Sequence, residues 1–80
     1  MINKLQQEKI VIGTKQTLRA ISRNEAEKVY ISKDADVHVT KPIADACRTS
    51  GIEIVYFDNM RELGMACGIN VNAAAAAVLK

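Results

Sequence analysis

Apolar and polar positions along the chain recur with two different periods, and the period switches several times. Ile10-Val11-Ile12 is an apolar, β-branched run that predicts a short buried strand, and Gly13 breaks it. Thr14 then offers an N-cap hydroxyl for a helix running to about Asn24. Leu18, Ala20 and Ile21 mark its inner side, while Lys15, Arg19 and Arg23 recur every four residues and so share an outer face. Lys28 to Ser32 reads as a second strand, and Lys33-Asp34-Ala35-Asp36 as a polar turn. A second helix is expected to open at Thr40 or Lys41 with Pro42 in its first turn, to place Ile43, Ala46 and Cys47 inward, and to stop at Gly51. Ile52 to Phe57 predicts a third strand. Asp58-Asn59 then caps a helix, with Glu62 at capping-box distance from Asn59 and with Met60, Leu63 and Cys67 at helical spacing.

The two ends are less regular. Asn3 can cap a short helix with Leu5 as its main inward residue. Ala73 to Ala77 favours helix by intrinsic propensity, yet the segment to Lys80 is short for a helix and Val78-Leu79 suits a strand. Periodicity alone leaves the two open. Small side chains on a central strand would also let helices approach a sheet closely. The alternation of strands and helices implies an α/β/α layered fold with about four short strands.

Composition narrows the classes. Eighty residues support one domain spanning 1–80, and 49% hydrophobic with 25% charged residues is the balance of a globular chain. No apolar run approaches the roughly 20 residues of a membrane-spanning helix, so no membrane partner is expected. The N-terminal stretch lacks a signal-peptide core, which makes the cytoplasm the default compartment. Tyr30, Tyr56 and Phe57 are the only aromatic residues, too few for a surface built on stacked bases. Cys47 and Cys67 form no C-x-x-C and read as reduced core thiols. His38 is the only histidine and has no ligand-spaced partner, so neither a metal site nor a catalytic triad can be assembled. No cofactor is expected, because the glycine-rich phosphate-binding loops are absent. Asp34 and Asp36, in a turn, read as helix caps rather than as a paired-carboxylate site.

Charge adds a direction. Net charge is only +2, but residues 1–24 hold five basic residues against Glu8 alone, a net +4. Residues 25–62 hold five basic and eight acidic residues, a net −3. One positive face is therefore expected. At its centre lies the turn Gly13-Thr14, which puts the free N–H groups of a helix start beside Lys15, Gln16 and Arg19. Amide donors and cations together suit a phosphate, or a guanine edge with its paired O6 and N7 acceptors, and Gln16 can read an adenine edge. Regular A-form RNA hides its major groove, so such a helix could enter only where the duplex is bent and opened.

The run Gly13-Thr14-Lys15-Gln16-Thr17-Leu18-Arg19-Ala20-Ile21 resembles the signature of the L-seven-Ae and L-thirty-e family of ribosomal proteins. Glu62-Leu63-Gly64, Ala66-Cys67-Gly68-Ile69, Val71 and the alanines resemble the second half of that pattern. The likeness covers nearly the whole chain and is greatest to short bacterial members of the YbxF type. It implies a mixed four-stranded sheet with the alanine-rich segment as its last strand. It also implies a non-catalytic, monomeric protein that binds kink-turn RNA, in ribosomal RNA or a riboswitch. A kink-turn is a duplex bent at a three-nucleotide bulge beside tandem sheared G·A pairs. By position, Lys15 and Arg19 would donate to guanines and Gln16 would meet an adenine or bridge the strands. Gly13 and Thr14 would present N–H groups to phosphate. Ile69, Asn70, Val71 and Asn72 would lie against the bulge, with Ile69 and Val71 covering an extruded base. Arg23 and Arg61 would be peripheral phosphate contacts. Lys15-Gln16 stands where some members carry Asn-Glu, and Asn72 where many archaeal members carry proline. The competing reading is a protein-interaction or structural module whose basic helix is merely solvated.

Overall fold

The computed structural model describes residues 9–69 and 71–80. The expected N-terminal helix around Asn3 and Leu5, and Asn70 in the loop, lie outside the described residues. The elements are β1 (Ile10–Ile12), α1 (Thr14–Ser22), β2 (Ala26–Ser32), α2 (Val37–Ser50), β3 (Glu53–Phe57), α3 (Met60–Ala66) and β4 (Ala75–Leu79). The strands form one mixed sheet in the order β1-β4-β2-β3. β4 runs antiparallel to both β1 and β2, and β2 runs parallel to β3.

The alanine-rich segment is thus a strand, and a central one. Its side chains alternate between the two faces of the sheet as the pleat requires. Ala75 and Ala77 join Val29 and Ile31 of β2 in a core completed by Ala20 and Ile21 of α1 and by Ile43, Ala44 and Cys47 of α2. Ala76 and Val78 point the other way, into a core with Tyr30 of β2 and Leu63, Ala66 and Cys67 of α3. The result is a three-layer α/β/α sandwich. Methyl-sized side chains explain how β4 is buried on both faces, with Ala75, Ala76 and Ala77 fully inaccessible. On the α3 face the Tyr30 and Phe57 rings meet edge-on, with centroids 5.5 Å apart. Cys47 and Cys67 are free, as expected, and sit in the opposite cores.

Three local expectations change. β1 is an edge strand and all three of its residues are half-buried rather than buried. α2 opens at Val37, because the Asp36 carboxylate accepts the His38 N–H (2.8 Å) and caps the helix before Thr40. Pro42 therefore falls at the sixth helical residue rather than in the first turn, and deprives the exposed His38 carbonyl of its partner one turn on. α1 ends at Ser22 because Asn24 turns left-handed (φ 57°).

Candidate nucleic-acid interface

β1, β2 and β3 end, and β4 begins, at one margin of the sheet, so four connections crowd there. Three consecutive carbonyls leading into β4 are tied down at this margin. The Ser32 hydroxyl donates to Ala73 O (2.7 Å), the Ser32 N–H to Ala74 O (3.0 Å) and the Gly13 N–H to Ala75 O (2.9 Å). The turn that opens α1 and the segment that follows α3 are therefore adjacent, although some 60 residues separate them in sequence. Asp34 sits beside them and accepts the Met60 N–H at the start of α3 (2.9 Å), while Asn59 caps the Glu62 N–H (2.8 Å). Both turn carboxylates, Asp34 and Asp36, are thus engaged in helix capping.

The start of α1 corrects two expectations. Gly13, not Thr14, is the N-cap residue, and no side chain caps the helix. Gly13 takes φ 109° and ψ 157°, a conformation open essentially to glycine alone. Its N–H is consumed by Ala75 and is not available to a phosphate. The N–H groups of Thr14, Lys15 and Gln16 find no protein acceptor among the described residues. These three amides carry the positive end of the helix dipole, and no acidic residue stands in the first turn to offset it. Thr14 is half-buried, whereas Lys15, Gln16 and Arg19 are exposed. Arg23 is exposed too but sits at the C-cap of α1, about 12 Å along the axis from Lys15 at 1.5 Å per residue. It extends the cationic row away from the crowded margin.

Thr17 is a core position that the sequence hides, because a threonine within a polar run carries no apolar signal. Its side chain is completely buried, and its hydroxyl finds no hydrogen-bond partner among the described residues. A buried, unpaired hydroxyl destabilises by its lost hydration. Thr17→Val, which keeps the shape, should raise stability by about 1 kcal/mol. Urea denaturation measures it as a higher midpoint at unchanged slope, and a lower midpoint would show the hydroxyl to be bonded.

The loop after α3 is held from below. Gly64 faces it, and a Cβ there would run into the carbonyl oxygen of Val71. The Ile69 N–H donates to Gly64 O and the Ala73 N–H to Met60 O, both at 3.0 Å. Ile69 is half-buried and packs against the α3-side core, while Val71 and Asn72 are exposed. Arg61 is exposed on α3, and a groove of about 430 Å³ runs between that helix and the loop, lined by Arg61, Met65, Ile69, Val71 and Asn72. Sequence reasoning assigned no role to Met65. The available signal was an apolar residue off the inward stripe of Leu63, Ala66 and Cys67. A second groove of about 570 Å³ separates α1 from α2, with Leu18, Ile21 and Ala46 in its wall.

Burial raises the thiol pKa of both Cys47 and Cys67, which keeps them protonated and weakly nucleophilic. Among the described residues no group of His, Cys, Asp and Glu could hold a metal ion, and no helix is long and apolar enough to cross a membrane.

Residues 2–80 match the model of the ribosomal protein L7Ae/L30e/S12e/Gadd45 family. An RNA-binding protein of Caldanaerobacter subterraneus is 55% identical over 69 residues, covering 86% of this chain and 84% of that protein. The RNA-binding protein YbxF of Geobacillus stearothermophilus is 43% identical over 76 residues, covering 95% and 93%. Among solved structures, the 15.5 kDa RNA-binding protein of Giardia lamblia superposes with a TM-score of 0.84 at 31% identity, over 92% of this chain. This chain spans 62% of that protein's length. With residues 2–80 matching the family model, relatives of 43–55% identity matched over most of both lengths and a matching fold, the chain belongs to the ribosomal protein L7Ae/L30e/S12e/Gadd45 family.

Proposed function

We propose that the protein is a non-catalytic RNA-binding module that recognises kink-turns and stabilises their bent form. The observation that supports this reading is the Gly13 N–H to Ala75 O bond, which brings the start of the cationic helix α1 to the margin where β4 begins, four residues after the exposed Val71. Kink-turn RNA offers matching features side by side: a widened major groove at the G·A pairs and unstacked bases at the bulge. Lys15 and Arg19 donate to guanine O6 and N7, and Gln16 meets an adenine edge. The amides of Thr14, Lys15 and Gln16 face phosphate, taking the part first expected of Gly13. Val71 and Ile69 cover an extruded base, Asn72 lines the same contact, and Arg61 and Arg23 approach phosphates further out. The free RNA exchanges between extended and bent forms. A protein that contacts only the bent form draws the population toward it. Family membership and relatives named RNA-binding proteins support the same reading.

The test is a titration against one kink-turn RNA and against a control in which the sheared G·A pairs are replaced by Watson–Crick pairs. Binding to the first and none to the control is the expected result. Equal affinity for both would overturn the kink-turn reading while leaving general RNA binding intact. The alternative, a solvated basic helix on a protein-interaction module, predicts binding to neither.

A further inference from the structure

The turn between β2 and α2 holds the segment entering β4 through hydrogen bonds in series. The Ser32 hydroxyl donates to Ala73 O (2.7 Å), the Ala73 N–H to Met60 O (3.0 Å) and the Met60 N–H to the Asp34 carboxylate (2.9 Å). The Ala35 N–H donates to Ser32 O (3.2 Å) and folds the turn that carries both side chains. Met60 and Ala73 are thus each gripped through N–H and carbonyl, with Ser32 and Asp34 at the two ends of the series. Ser32 is 1% exposed, at the last position of β2, where an apolar side chain would fill the space with no polar atom to satisfy. Asp34 is exposed, at the margin that also carries the cationic start of α1. A carboxylate there repels a polyanion, so its place calls for a compensating role.

From this we infer that Ser32 and Asp34 are positioning residues for RNA binding: from one turn they fix the loop after α3 at a set offset from the start of α1. Their role rests on the kink-turn reading above, and neither side chain touches the RNA in it. Val71 and Asn72 are exposed and lie directly before Ala73, so their placement follows that of the Ala73 backbone. One residue further on, Ala74 O accepts the Ser32 N–H, and the next carbonyl, Ala75 O, accepts the Gly13 N–H. The β2–α2 turn, the start of α3 and the entry to β4 are thereby tied to the Gly13 turn. The Ser32 bond is short and shielded from water, while the Asp34 bond is exposed and charge-assisted. A loop released from this series spends only part of its time in the geometry that binds, and the apparent affinity falls by that fraction. A loop already held loses less conformational freedom when the RNA arrives.

The experiment titrates one kink-turn RNA with Ser32→Ala, Asp34→Ala and Asp34→Asn, and follows the thermal unfolding of each protein. Ser32→Ala should weaken binding about threefold to tenfold. Asp34→Ala should weaken it by a similar factor, although loss of an acid beside a polyanion would by charge alone tighten it. Asp34→Asn keeps an acceptor oxygen and should recover most of that loss. Ser32→Ala combined with Asp34→Ala should cost less than the product of the two, because both open one series. In a Val71→Ala background, whose loop has lost its apolar RNA contact, Ser32→Ala should weaken binding by less than about a further twofold. It should still lower the unfolding midpoint there by about 4–8 °C. If Ser32→Ala unfolds earlier but binds RNA as the unsubstituted protein does, the bond is purely structural. If Asp34→Ala binds as tightly as the unsubstituted protein or more so, Asp34 acts on RNA through its charge alone. Either result overturns the positioning role and leaves the kink-turn reading intact. Asp34 is exposed, so its variants decide the matter even if Ser32→Ala does not fold. Failure of the unsubstituted protein to bind the RNA overturns the role together with the kink-turn reading.

Discussion

Gly64→Ala should weaken binding to a kink-turn RNA by about tenfold or more while leaving a folded protein that is about 1–3 kcal/mol less stable. The added methyl group meets backbone, not the yielding end of a side chain, so the Val71 carbonyl must move. Moving it strains the bonds from Ile69 to Gly64 and from Ala73 to Met60, and the Ser32 clasp on Ala73 resists the shift from the other side. Alanine is the better helix former, by about 1 kcal/mol at an exposed interior position, so propensity alone predicts a gain in stability. The clash and the propensity therefore predict opposite signs, and thermal unfolding decides between them. An RNA titration of the same variant reads the loop directly. Unchanged affinity together with raised stability would mean that α3 and the loop separate easily, and that loop placement does not depend on Gly64.

Arg19→Ala should weaken the same RNA by about 1–3 kcal/mol, roughly fivefold to 150-fold, the discrimination a paired contact to guanine supplies. Arg19 is exposed on α1 and makes no ion pair among the described residues, so its removal leaves no buried charge behind. The loss should be confined to RNAs that keep the guanine of the sheared pair. Arg23→Ala is the internal control. It sits on the same helix face but at the far end of α1, and as a phosphate contact it should lower affinity less and equally for all sequences. Gel-shift titrations at two or more salt concentrations separate the two, since phosphate contacts weaken with salt more steeply than base contacts do. Equal losses for both arginines would reduce the α1 face to a non-specific cationic patch.

Much of the architecture was legible along the chain because it is encoded locally. The β-branched run at Ile10–Ile12, the left-handed stop at Gly51 and the Asn59 cap each follow from the preferences of a few adjacent residues. Helix starts were less legible. Asp36 and Thr40 both had the chemistry to cap α2, and only the hydrogen bond to the His38 N–H chose between them. The pattern extends α1 to about Asn24, because the reversal of φ at that residue leaves no trace in the polar sequence.

The candidate site divides along the same line. The sequence alone determined its ingredients: a glycine before a helix start, cations repeating at helical spacing, and an apolar loop set between Gly68 and the alanines. The sequence also determined that the alanine run could serve as strand or helix, since propensity and length pull in opposite directions. Tertiary structure decided that it is a strand, because only methyl groups allow helices to close on both faces of a central β4. The same long-range pairing brought the Gly13 turn onto Ala75, took the Gly13 amide out of use, and placed Val71 against Gly64 and beside Met65. Those contacts join residues tens of positions apart, or side chains met across a helix and a loop. No local propensity specifies them, since they exist only once burial has assembled the sheet.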